Sequence, residues 1–177
     1  MMELSPAMQQ YVLHWGEMGT RWGVNRTIAQ IHALLYLSAQ PLTADEIQET
    51  LNVARSNVST SLKELQSWGL VNVIHVLGDR RDHFESKKDL WEMFHIIIRE
   101  RKRRELDPTL SMLRNCALEA NNDKQTDEDV KQRMQAMLDF VETFSDWYEQ
   151  MEKIPQPMFS KLIKMGAKIT GVLTRKR

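Results

Sequence analysis

One stretch, residues 43–84, constrains the fold more than any other: TADEIQETLNVARSNVSTSLKELQSWGLVNVIHVLGDRRDHF. Thr43 and Glu46 stand three positions apart, the spacing at which each side chain satisfies an orphan backbone N–H of a first helical turn. That spacing starts a helix at Thr43, and Ile47 and Leu51 lie one turn apart on its inner face. Asn52-Val53 breaks the period. A second helix then begins near Arg55, with Val58, Leu62 and Leu65 as its buried stripe. Gly69 stops it, a β-branched segment follows over residues 70–76, and Gly78-Asp79-Arg80-Arg81 forms a charged tip. Two short helices around a tight turn, followed by a strand pair, make the order of a winged helix-turn-helix.

The buried stripe of the second helix leaves Ser56, Asn57, Ser59, Thr60 and Lys63 on its outer face. These are small or hydrogen-bonding residues, where a surface helix more often carries Glu/Lys pairs. Such a face can approach base edges closely, so double-stranded DNA is the expected partner. Thr43 and Arg55 are expected beside it, with Arg80 and Arg81 at the tip as phosphate or minor-groove contacts. Asp79 can hold one of those guanidinium groups by a charge-assisted hydrogen bond. The plainer reading of the same residues is an ordinary solvated helix and an ordinary hairpin.

The chain has equal numbers of basic and acidic residues, 24 of each, which taken alone argues against a nucleic-acid binder. Zero hides a segregation. Net charge is −3 over residues 1–53, +4 over 54–104, −7 over 105–153 and +6 over 154–177. The recognition segment lies in a basic block. Exposed charges are screened beyond about 8 Å at physiological ionic strength, so a phosphate senses the local sign. At 177 residues the chain can bury a real core. The single Cys116 cannot close an internal disulfide, no apolar run is long enough to span a bilayer, and the N-terminus lacks a signal peptide's order. A cytoplasmic location is the expectation.

Helices should dominate the remainder. Residues 4–22 space Tyr11, Val12, Trp15, Met18 and Trp22 helically, and residues 26–38 do so with Ile28, Ile31, Leu34 and Leu35. Downstream, Ser86 can cap a helix through Trp91, Phe94, Ile97 and Ile98. Asp107-Pro108 then restarts it, Asp as cap and Pro in the first helical position. Residues 120–129 read as a loop, with Thr126 and Asp129 resembling another capped start. The helix after it carries a stripe of Val130, Met134, Met137, Leu138, Val141, Phe144 and Tyr148, wide for a solvent-facing helix. A second copy of the chain is the expected cover, giving a homodimer whose twin readers meet two half-sites; an intramolecular bundle is the alternative. The last segment, residues 155–177, reads as a basic amphipathic helix. Membrane-surface binding is possible for such a helix, but docking on the chain's own acidic helix is the commoner use.

Together these segments resemble the GbsR-type branch of the MarR family of transcriptional regulators. The likeness runs through WGVNRTIAQIHALLYLSAQPLTADEI, ARSNVSTSLKELQSWGLV and LGDRRDHFESKKDLWEMFHIIIRERKRREL, with Asn-Val-Ser and Trp-Gly-Leu-Val as its more specific parts. Ala54 departs from it, since winged-helix relatives commonly place there a Ser able to cap the recognition helix. The resemblance implies a dimeric repressor of osmoprotectant transport or synthesis genes that senses choline or glycine betaine. A quaternary ammonium effector is best held by aromatic faces, and Trp15, Trp22, Tyr36, Trp91 and Phe94 are the candidates. The plainer reading makes these rings core.

The five histidines form no close i, i+4 pair and Cys116 has no second Cys, so no metal is expected. No catalytic motif or Gly-rich phosphate loop stands out, so neither an enzyme nor a cofactor is expected. The expectation is a mainly α fold: a winged helix-turn-helix with a two-stranded wing, and long N- and C-terminal dimerisation helices. The segments divide as an N-terminal helix over 1–22, the reader over 23–86 and a C-terminal helical and effector region over 87–177. The rival readings are a winged helix used as a protein-interaction module and a membrane-surface sensor using the terminal helix.

Overall fold

In the computed structural model, residues 3–155, Pro157, Met158, Lys161 and Met165 are described. The remainder of the terminal amphipathic segment, residues 156–177 apart from those four, lies outside the described residues. The chain forms two compact units, residues 1–97 and 98–177. The division falls inside a helix, not at residue 86 or 87, and the N-terminal helix packs as part of the reading unit.

The first unit opens with α1 (Pro6–Arg21) and α2 (Arg26–Leu37). Ser5 accepts from Met8 N–H and Asn25 from Thr27 N–H, so each helix starts on a side-chain cap. The two helices touch at Gly16 and Gly19. A Cβ added at Gly19 would lie 2.5 Å from the Ala29 Cβ, and one at Gly16 would lie 2.6 Å from Gln30 Cγ. Glycine is therefore required at position 19, whereas at position 16 a larger residue would have to displace the Gln30 side chain.

After α2 come β1 (Leu42–Thr43), α3 (Ala44–Leu51), α4 (Arg55–Trp68), β2 (Val71–His75) and β3 (Asp82–Ser86). The capping box at Thr43 is complete: Glu46 N–H donates to the Thr43 hydroxyl, and Thr43 N–H donates to Glu46 Oε2 at 2.7 Å. Asn52 ends α3 at φ +50°, a left-handed conformation its short polar side chain tolerates. This sharp turn sets α4 against α2 and α3. Ile31, Leu34, Leu35, Ile47, Val58 and Leu65 meet at its centre with at most 1 % exposure. Each such side chain contributes about 1.5–3 kcal/mol of burial.

The sheet has three strands in the order β1-β3-β2, all antiparallel. The expected two-stranded wing is present as β2 and β3, with Val73 opposite Phe84. Leu42, paired with Phe84 from the other side, adds a two-residue third strand too short to show a periodic pattern. The chain leaving β3 is pinned by Lys88. Its ammonium donates to the carbonyls of Leu35, Tyr36 and Ser38 at 2.7, 2.8 and 2.7 Å, closing the C-terminal end of α2.

Helix α5 (Leu90–Arg101) runs from the first unit into the second. Its cap is Asp89, whose carboxylate accepts from Glu92 N–H. Ser86 does not cap it: that residue ends β3 and is buried there. In the second unit a π-helical turn, Lys102–Leu106, leads into α6 (Asp107–Asn122), and α7 (Glu128–Glu152) returns beside it. The restart at Asp107-Pro108 is thus a widened turn, not a break. Asp107 accepts from the Lys102 ammonium at 2.7 Å, so its side chain is not free to cap. Nor do Thr126 and Asp129 cap α7: Thr126 donates to Asp123, and Asp127 stands at the N-cap without a side-chain bond. Leu110, Ala117 and Leu138 form the seam of this hairpin, with Leu113 and Val141 packed on it.

Candidate nucleic-acid interface

The period of α4 divides its residues cleanly. Val58, Ser61, Leu62 and Leu65 are buried, while Ser56, Asn57, Ser59, Thr60 and Lys63 are all exposed. These five side chains carry three hydroxyls, one amide and one ammonium, and no carboxylate. They offer donors and acceptors to a partner without a like-signed charge against phosphate. The N-cap of α4, Ala54, has cap geometry (φ −63°, ψ 141°) but no oxygen to offer the first turn. Arg55 compensates differently, pairing with Asp45 on α3.

Between α4 and the sheet lies a cleft of about 340 Å³, with Arg55, Ser59, Lys63, Gln66 and Arg81 on its walls. Asp45 and Asp82 also line it, so the cleft carries charges of both signs. Thr43 borders it as well but is only 1 % exposed, and both its hydroxyl and its N–H belong to the capping box. The expectation of a DNA contact there is corrected: Thr43 positions α3, and burial withholds its polar atoms from any partner.

The two arginines of the wing differ. Arg81 is clamped on Asp79, Nε lying 3.0 Å from both carboxylate oxygens and Nη2 2.5 Å from Oδ2, while Arg81 N–H also donates to Oδ1. These bonds hold the Asp79 carboxyl well below the usual carboxylate range and raise the guanidinium above its own. Arg80 is exposed and makes no ion pair with the described residues, as is true of Lys63. Of the four basic side chains on α4 and the wing, Arg80 and Lys63 can meet phosphate without first displacing a carboxylate of Asp45 or Asp79.

Residues 22–82 match the family model described as MarR family. The match spans the winged helix-turn-helix described above, from the end of α1 to the start of β3. The fold agrees at whole-chain scale: a crystal structure described as a transcriptional regulator superposes with a TM-score of 0.66 at 19 % identity, covering 83 % of this chain and 96 % of that one. Among curated relatives, the HTH-type transcriptional repressor GbsR of Bacillus subtilis (strain 168) is 21 % identical over 138 residues, 76 % of each chain. The putative HTH-type transcriptional regulator YvaV of the same organism is 20 % identical over 73 residues, 41 % of each. By their descriptions both curated relatives are transcriptional regulators, the first of them a repressor. No helix among the described residues of this chain is long and apolar enough to cross a membrane.

The proposed cage rings are placed with local neighbours. Trp15 stacks on Tyr11 with centroids 5.5 Å apart, and Trp91 stacks on Phe94 at 5.5 Å with His95 edge-on at 4.8 Å. Tyr36 already faces a cation, the Lys88 ammonium 5.8 Å from its centroid. Trp22 lies at the end of α1 and is 57 % exposed. Sequence reasoning missed Asp45, Gln66 and Lys88. No spacing links Asp45 to the start of the next helix, and nothing in the spacing of Lys88 points to carbonyls some fifty residues away.

Proposed function

We propose that this MarR-family chain is a cytoplasmic, homodimeric repressor that reads DNA with α4 and the wing and is released by a small effector. The carrying observation is the α4 face itself: five exposed polar residues without a carboxylate, of which Lys63, like Arg80 on the wing, makes no ion pair among the described residues. Arg55 and Arg81, though paired, lie where a duplex backbone would pass and add positive potential. Likeness to a protein named as a repressor supports the sign of regulation.

Dimerisation is supported by α7. Met137, Phe140, Phe144 and Trp147 follow a 3-4-3 spacing on one side of that helix and are 50–69 % exposed. Twin readers about 34 Å apart would meet successive half-sites on one face of the duplex. Resemblance to the GbsR branch supplies the effector class, a quaternary ammonium osmoprotectant, and makes genes for its transport the expected targets. Trp15, Trp22, Tyr36, Trp91 and Phe94 are the aromatic faces for it. A tenfold loss of operator affinity requires about 1.4 kcal/mol of difference between the DNA-competent spacing and the effector-bound one.

The test is fluorescence anisotropy of labelled duplexes across a salt series, using both random DNA and the DNA flanking the chain's own gene. Salt-sensitive binding with preference for the flanking DNA is expected. Asn57→Ala should remove the preference, and Arg80→Ala should weaken all duplexes while lowering the salt slope by about 1. No affinity for any duplex would overturn the reading in favour of a protein-interaction module.

A further inference from the structure

The corner of the wing is apolar. Residues Val76, Leu77, Gly78 and Asp79 form a turn closed by the Asp79 N–H donating to the Val76 carbonyl at 3.0 Å, with Gly78 at φ +87°. Leu77 occupies its second position and is 104 % exposed, and Val76 beside it is 43 % exposed. A branched hydrocarbon at the tip of a hairpin has no folding rationale, since nothing in its unit covers it and a polar residue would fit the turn equally well. The arm that presents it is stiff. Five residue pairs join β2 to β3, and Asp79 braces Arg81 on the far side of the turn.

The surroundings indicate the partner. Arg80, exposed and without an ion pair among the described residues, stands three residues from Leu77, and Arg81 next to it lines the cleft beside α4. An apolar point flanked by a cation matches a minor groove, whose phosphate rims are anionic and whose base stack is apolar. We propose that Leu77 is a wedge that enters the minor groove beside the site read by α4 and partly unstacks one base step. Pyrimidine–purine steps open most readily, so Leu77 selects such a step at a position that makes no base-edge hydrogen bond. The inference rests on the DNA-reading function proposed above.

The experiment uses the full chain and a duplex it selects from a random-sequence library, with 2-aminopurine placed in turn at each pyrimidine–purine step flanking the α4 site. Binding should raise 2-aminopurine fluorescence at one step. Leu77→Ala should abolish that rise and weaken binding about tenfold, equal to about 1.4 kcal/mol, with the salt slope unchanged because no phosphate contact is removed. Leu77→Met should retain both signals. Leu77 is fully exposed, so unaltered thermal unfolding of both variants is expected and certifies the comparison. Tight binding by the wild-type chain with no step responding, or Leu77→Ala indistinguishable from wild type, overturns the wedge alone. Failure of the wild-type chain to select any duplex overturns the DNA reading itself.

Discussion

His32 shows how much one side chain can hold in reserve. It lies in the core face of α2 at 5 % exposure, and its Nε2 has no hydrogen-bond partner. Burial, followed by the nearby Lys88 charge, pushes its pKa down to about 4. The unfolded chain takes up the same proton near pH 6.5, so between those values the unfolded state binds more protons and stability rises with pH. Acidification from about pH 6.5 towards 4 should therefore remove stability, on the order of 3 kcal/mol in full. Urea unfolding at neutral and acid pH checks this, and His32→Leu should flatten the dependence. The sequence marked the Ile31 and Leu34 flanks of this residue as core but treated His32 only as a poor metal ligand. A lone histidine on an apolar face carries no mark of whether its ring nitrogen finds a partner. The Asp79–Arg81 clamp was legible because both groups sit in one turn, whereas the Arg55–Asp45 pair joins two helices whose angle spacing alone does not give.

At the level of elements, the α4 cap is the place where local chemistry falls short of local geometry. Ala54 already adopts extended cap angles, so Ala54→Ser places a hydroxyl beside the orphan N–H groups of α4 without moving the backbone. A gain of about 1 kcal/mol is expected, read as a higher unfolding midpoint. If the melt is unchanged, the Arg55–Asp45 pair already holds that turn as firmly as a cap would. Helices α3 and α4, the wing and its glycine stop were readable because period, cap and turn chemistry agree there. Agreement failed at Ser86 and Asp107. Each has a side chain fit for capping, yet strand pairing consumes the first and the Lys102 ammonium occupies the second. Such competition is set by tertiary neighbours and leaves no trace in spacing.

Taken as a whole molecule, the chain divides its apolar surface between two destinations. The stripe expected along α7 splits: Leu138 and Val141 go to the hairpin seam with α6, whereas Met137 and Phe144 stay exposed and are joined there by Phe140 and Trp147. The intramolecular alternative thus uses part of the stripe and leaves another part free. If that remaining face joins two chains, Phe140→Glu should convert the assembly to monomer in sedimentation velocity and lower affinity for a two-half-site duplex by at least about tenfold. Binding to a single half-site should persist. The closeness of α1 to α2 carries its own implication for how such an assembly could communicate. With the two glycines set close against Ala29 and Gln30, α1 and α2 are expected to shift together. A displacement of α1 is therefore expected to carry to the far end of α2, where three carbonyls accept from Lys88 at the root of the wing.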